Sequence, residues 1–138
     1  MHVFLVYPKE GKEFSVLCER FELNGNKFVF YNSGEQPSNE AFVSFDDVAA
    51  IVLEKPYFAE HFQPFLVYLR NRDQPLSIYA NSFDIETKPS ITFFYRQFDN
   101  DESHEIKDTY VATSEVVAIF PSEGLQRVRK RSIKGFPS

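Results

Sequence analysis

Cys18 is the only thiol in the chain, and a thiol becomes a nucleophile when a base or cation lowers its pKa. It closes the alternating run Phe14-Ser15-Val16-Leu17-Cys18, on the same side as Phe14 and Val16. The pattern therefore reads it as a small filler inside a core. His2, His61 and His104 share no spacing with it or with one another, so each reads as a surface or packing residue rather than a general base. One cysteine excludes an internal disulfide framework and a cysteine-built zinc site.

Two acidic clusters could hold a cation or act as paired carboxylates. The first runs Asp99-Asn100-Asp101-Glu102-Ser103-His104-Glu105. An EF-hand loop needs Gly at its sixth position and Glu at its twelfth, where this sequence has His104 and Tyr110, so a solvated hairpin tip is expected. Asp46-Asp47 is matched later in the chain by Ser114-Glu115, and turn capping accounts for both pairs. The sequence lacks a nucleophile elbow, a Walker loop, a dinucleotide-binding glycine pattern and a zincin motif. Five glycines in total leave little with which to build a phosphate cradle. A non-enzymatic chain without cofactor or metal is expected. An unfamiliar enzyme would need a pocket with shifted pKa values, drawn from Glu60, His61 and Asp47.

The strongest charge signal lies at the end of the chain. Arg127, Arg129, Lys130, Arg131 and Lys134 all follow Gly124, with no acidic residue among them. Since the whole chain carries 15 basic and 20 acidic side chains, residues 1–123 hold a net charge of −10. Such a tail could grip nucleic-acid phosphates with a salt-dependent strength, dock on an acidic partner or another copy of the chain, or only keep the protein soluble. The acidic body opposes the first use, whereas aromatics such as Tyr31 and Phe94 could stack bases.

The elements behind these residues are strands, and the chain is written twice. Phe4-Leu5-Val6-Tyr7 recurs as Phe65-Leu66-Val67-Tyr68. Phe14-Ser15-Val16 then lies on Leu76-Ser77-Ile78, Phe21-Glu22-Leu23 on Phe83-Asp84-Ile85, and Phe28-Val29-Phe30-Tyr31 on Ile91-Thr92-Phe93-Phe94. Phe42-Val43 lies on Tyr110-Val111, and residues 46–51 lie on residues 114–119. Within each copy the apolar period is two, with β-branched and aromatic residues dominating, as half-buried strands require. Val3 to Tyr7 and Phe65 to Leu69 are almost continuously apolar, which predicts cover on both faces. Asn24-Gly25 predicts a type I′ hairpin, and Ser44 and Ser114 predict capped single turns.

The expected fold is all-β, with two tandem similar β-meanders packed side by side. Each would be a small SH3-like barrel or half-barrel, and a short helical connector would join them; one continuous barrel or sandwich is the alternative. The divisions are residues 1–55 and 65–123 for the two copies, 56–64 for the proline-bracketed aromatic connector, and 124–138 for the basic tail. Each copy alone is too small to be more than marginally stable. No secretory leader or apolar stretch long enough to span a bilayer is read, so a cytoplasmic setting is expected. The functional expectation is a protein-binding or self-associating module, with nucleic-acid binding through the tail as the alternative.

Overall fold

Val3–Tyr7 carries no charged side chain, and the computed structural model packs this strand between two cores. It describes residues 1–32, 41–54, 64–85, 89–96 and 102–123. β1 (His2–Pro8) sends Phe4 and Val6 into one apolar cluster, while Leu5 and Tyr7 pack against the other. Its neighbours are β2 (Phe14–Cys18) and β6 (Val48–Leu53), both antiparallel. A second sheet is made of β3 (Arg20–Asn24), β4 (Lys27–Tyr31) and β5 (Ala41–Ser44), in that order. β2 runs on into β3 through a corner at Glu19, whose N–H donates to the Tyr31 carbonyl at 2.8 Å. A single 3-10 turn, Phe45–Asp47, leads from β5 into β6.

The later strands form two further three-stranded sheets. β7 (Pro64–Leu69) lies between β8 (Leu76–Tyr79) and β13 (Val116–Pro121), while β10 (Thr92–Arg96) lies between β9 (Ser82–Asp84) and β11 (Ser103–Glu105). β12 (Tyr110–Val111) and a 3-10 turn at Thr113–Glu115 precede β13. Several registers correspond, although β11 pairs along Phe94–Arg96 whereas β5 pairs along Lys27–Phe30, which aligns with residues 90–93. Phe4 faces Leu53 where Phe65 faces Pro121, and Phe21 faces Phe30 where Phe83 faces Phe93. Lys9 N–H donates to the Asp47 carbonyl at 2.8 Å, and Arg70 N–H to that of Glu115 at 2.9 Å. Phe21 meets Phe4 edge-on at 5.2 Å between ring centroids, and Phe83 meets Phe65 at the same 5.2 Å. Each such aromatic pair adds about 1 kcal/mol beyond the area it buries.

Both sets share one irregularity. Between the pairs Pro8↔Val48 and Tyr7↔Ala50 the strand β6 holds an extra residue, Ala49, and between Leu69↔Val116 and Tyr68↔Ala118 the strand β13 holds Val117. An extra residue on one strand is a β-bulge, which bends and twists that strand.

The all-β class holds, but the sheets are not closed into barrels. The four sheets separate because β5 pairs only with β4 among the described residues, and the free edge of β6 is taken by β12 instead. The order of the resulting four-stranded sheet is β12-β6-β1-β2. The expected helical connector at 56–64 falls almost wholly outside the described residues, Pro64 being the first residue of β7.

Two local expectations need correction. The β3–β4 hairpin turns on Gly25-Asn26, with Asn24 paired to Lys27, and only Gly25 has positive φ (69°). A type I′ turn needs positive φ at both central residues, whereas type II′ needs it at the first alone, so this turn follows the II′ pattern. The two 3-10 turns form where sequence placed them, yet Ser44 makes no side-chain cap bond and the second turn is preceded by Ala112 rather than Ser114. Backbone bonds hold them instead: Phe45 N–H to the Asn26 carbonyl and Thr113 N–H to that of Pro89.

Candidate functional site

Among the described residues, those singled out for chemistry do not come together. Cys18 is buried, its Sγ–H 3.5 Å from the Arg20 carbonyl, and burial pushes its thiol pKa up rather than down. Its counterpart Ala80 is equally buried, as a core filler should be. His2 lies at the exposed start of β1 and His104 stacks at 5.3 Å on Tyr95, with Glu102 3.9 Å away. Asp46 and Asp47 are exposed on the first 3-10 turn. Glu60, His61, Asp99 to Asp101 and the tail residues Arg127, Arg129, Lys130, Arg131 and Lys134 lie outside the described residues. Among the described residues no group of three or more His, Cys, Asp and Glu side chains could hold a metal ion, and no helix is long and apolar enough to cross a membrane. Of the two aromatics considered for base stacking, Tyr31 already carries the Arg20 guanidinium 4.4 Å above its ring.

A shallow cleft of about 460 Å3 opens between β3 and the segment after β11. Arg20, Glu22, Glu105, Lys107 and Asp108 give it both signs of charge. Arg20 is held by Glu22 at 3.2 Å, and burial raises the Asp108 carboxyl above its ordinary value. The walls supply neither a nucleophile nor a base aimed at one.

The strand edges carry more information. β12 stays bonded to the later strands and also pairs with β6, with Tyr110 opposite Ile51 and Val111 opposite Ala50. The bulge carbonyl of Ala49 accepts the Ala112 N–H at 2.9 Å. Tyr110 and Ala112 enter the cluster built by the earlier strands, while Val111 joins the other cluster. The ring of Tyr110 lies 4.5 Å from that of Phe28 and 5.8 Å from that of Phe45. Burial, then the nearby Glu115 and Asp46 carboxylates, push its phenol up to about 12. On its other side Val111 accepts the Ile91 N–H at 2.9 Å.

β13 occupies the place of β6, but no strand pairs with its outer edge among the described residues. Val117 on that edge is 62% exposed, against 2% for Ala49 at the same place in β6. β5 is likewise an outer strand, and its Phe42 is 62% exposed where the corresponding Tyr110 is 8% exposed. The sequence reading assigned no role to Val117 or Phe42. The signal available was the alignment itself, which sets a valine on a small alanine and a phenylalanine on a tyrosine that is buried.

No protein-family model matches the chain, and no curated protein or solved structure is significantly similar to it.

Proposed function

We propose that this chain is a non-enzymatic protein-interaction module, two copies of one β-meander unit, that binds an extended partner strand along the outer edge of β13. The observation that carries this reading is the contrast between corresponding edges: β6 is covered by β12, while β13 keeps Val117 62% exposed. An uncovered edge offers a row of N–H and C=O groups to an incoming segment, and side-chain contacts then set its specificity. The duplication is supported by the matched registers, the shared bulge and the two equal Phe–Phe contacts. In this reading the connector at 56–64 and the basic tail follow equivalent strands. The lone buried thiol fits a reducing, cytoplasmic setting.

Peptide-display selection against the whole protein tests the reading. Strand-forming peptides enriched by the native chain should be lost with Val117→Lys, because a lysine on the edge blocks pairing. Equal enrichment by both proteins, or none by either, overturns it.

The charge division favours a second reading, nucleic-acid binding by Arg127, Arg129, Lys130, Arg131 and Lys134 against a body of −10. A gel-shift comparison of the full chain with one ending at Glu123, at about 50 mM salt, decides it, since phosphate contacts are strongest at low salt. Absent or equal retention removes this alternative.

A further inference from the structure

Resting on that reading, we infer that the strand which covers β13 is β5 of a second copy of this chain, so that copies join head to tail with Ser44 opposite Val117 and Phe42 opposite Ile119. The joint is already built once inside the molecule. There β12 pairs with β6 through Tyr110↔Ile51 and Val111↔Ala50, and Ala112 N–H donates to the bulge carbonyl of Ala49. By the matched registers Phe42, Val43 and Ser44 correspond to Tyr110, Val111 and Ala112, because Lys27↔Ser44 has its equivalent in the bridge Ser90↔Ala112. By the same registers Val117, Ala118 and Ile119 correspond to Ala49, Ala50 and Ile51.

Both halves of the second joint are exposed. Phe42 and Val117 are each 62% exposed, among the described residues the most exposed large hydrophobics after Met1 along with Leu17, and they stand where the internal joint buries Tyr110 and Ala49. β5 bonds to β4 through Val43, as Val111 bonds to Ile91, which leaves the Ser44 N–H directed outward like that of Ala112. A bulge often turns an edge away from pairing. Here the equivalent bulge in β6 supplies the acceptor for Ala112, so this bulge suits the joint. Lys27 lies 4.9 Å from the Phe42 ring, where a lysine can guard an edge, yet it leaves most of that ring in water.

The two edges differ, so the contact is heterologous and propagates to a ring or an open filament rather than closing as a two-fold dimer. Sedimentation velocity of the full chain across the micromolar range should show mass rising beyond a dimer. Val117→Lys and Phe42→Lys should each weaken self-association at least about tenfold. Mixed together, the two variants retain one good edge of each kind and should form a one-to-one dimer. Far-ultraviolet circular dichroism of each variant establishes that it is folded. A second measurement needs no disruptive change: in a Cys18→Ala background, the pair Ser44→Cys and Val117→Cys should give a ladder of disulfide-linked multimers, and neither cysteine alone should. A native chain that is monomeric throughout, association untouched by both lysine variants, or dimers cross-linked by Ser44→Cys alone each overturn the inference. A monomer that still selects peptides through Val117 overturns self-assembly and leaves edge binding standing. A monomer that selects none overturns both.

Discussion

The ring of Tyr110 lies 4.5 Å from that of Phe28, so a residue from late in the chain completes a core built by the first strands. Removing it should cost more than its own area. Tyr110→Ala deletes contacts with Phe28 and Phe45 and opens a cavity at a position 8% exposed. The expected loss is about 3–5 kcal/mol, the usual cost of deleting a buried aromatic side chain. Urea unfolding should remain one cooperative transition at a lower midpoint, because β12 ties both clusters together. Two separated transitions would show that the halves unfold independently.

The same phenol gives the fold an alkaline limit. Its pKa is raised from 10.0 to about 12 by burial first and by Glu115 and Asp46 second. The unfolded chain therefore releases this proton at lower pH than the folded one does. The stabilisation is fully present below pH 10 and is lost as pH rises from 10 towards 12. Urea midpoints measured across that window should fall, and fall less steeply in Tyr110→Phe. Equal slopes would assign the alkaline sensitivity to other groups.

Arg72, in the turn between β7 and β8, fastens the later strands to the loop after β1. Its Nη2 donates to the Pro8 carbonyl at 2.7 Å and the Gly11 carbonyl at 2.8 Å, and its guanidinium carbon lies 5.2 Å from the centre of the Tyr7 ring. The bond from Nη1 to Glu13 is longer, at 3.3 Å, and Glu13 is exposed. Arg72→Ala should cost about 2 kcal/mol, since charged hydrogen bonds at a largely buried side chain are lost. Arg72→Lys should recover less than half, because an ammonium cannot reproduce the planar fork. Glu13→Gln should change stability by under about 0.5 kcal/mol, as exposed ion pairs do. Chemical denaturation of the three variants orders them.

Cys18 should behave as an apolar filler. Burial raises its thiol pKa, which lowers the thiolate fraction, and the surrounding strands limit access. A disulfide reagent should label the folded protein only as fast as it opens, and within mixing time once denatured. Cys18→Ala, which installs the residue found at position 80, should cost no more than about 1 kcal/mol. Rapid labelling under native conditions would contradict the burial.

Most strands were legible from apolar alternation or a short continuous apolar run, and segments of the earlier strands could be aligned with segments of the later ones. The pairing of β12 with β6 was not. Tyr110-Val111 is two adjacent apolar residues, too short to show which edge it joins, and its length offers no period. Arg72 was equally silent, since Asn71-Arg72-Asp73 looks like any solvated turn and its acceptors are carbonyls more than 60 residues away in sequence. The exposed edges of β5 and β13 emerged only when topology revealed which of two similar strands had a partner.

Gly25 provides a test of the hairpin that separates backbone strain from crowding. A Cβ added there would meet nothing within 4 Å, yet φ is 69°. Gly25→Ala should therefore cost about 1–2 kcal/mol, the penalty for an L side chain at positive φ, with no contribution from clash. Asn26 has no positive φ in the native turn. Exchanging the pair, Gly25→Asn with Asn26→Gly, creates the Asn-Gly sequence that type I′ turns favour and should restore most of the lost stability by letting the hairpin change turn type. Urea midpoints for the single and double variants decide the matter: if the exchange is as damaging as Gly25→Ala, the flanking register between Asn24 and Lys27 is fixed too firmly for the turn to switch.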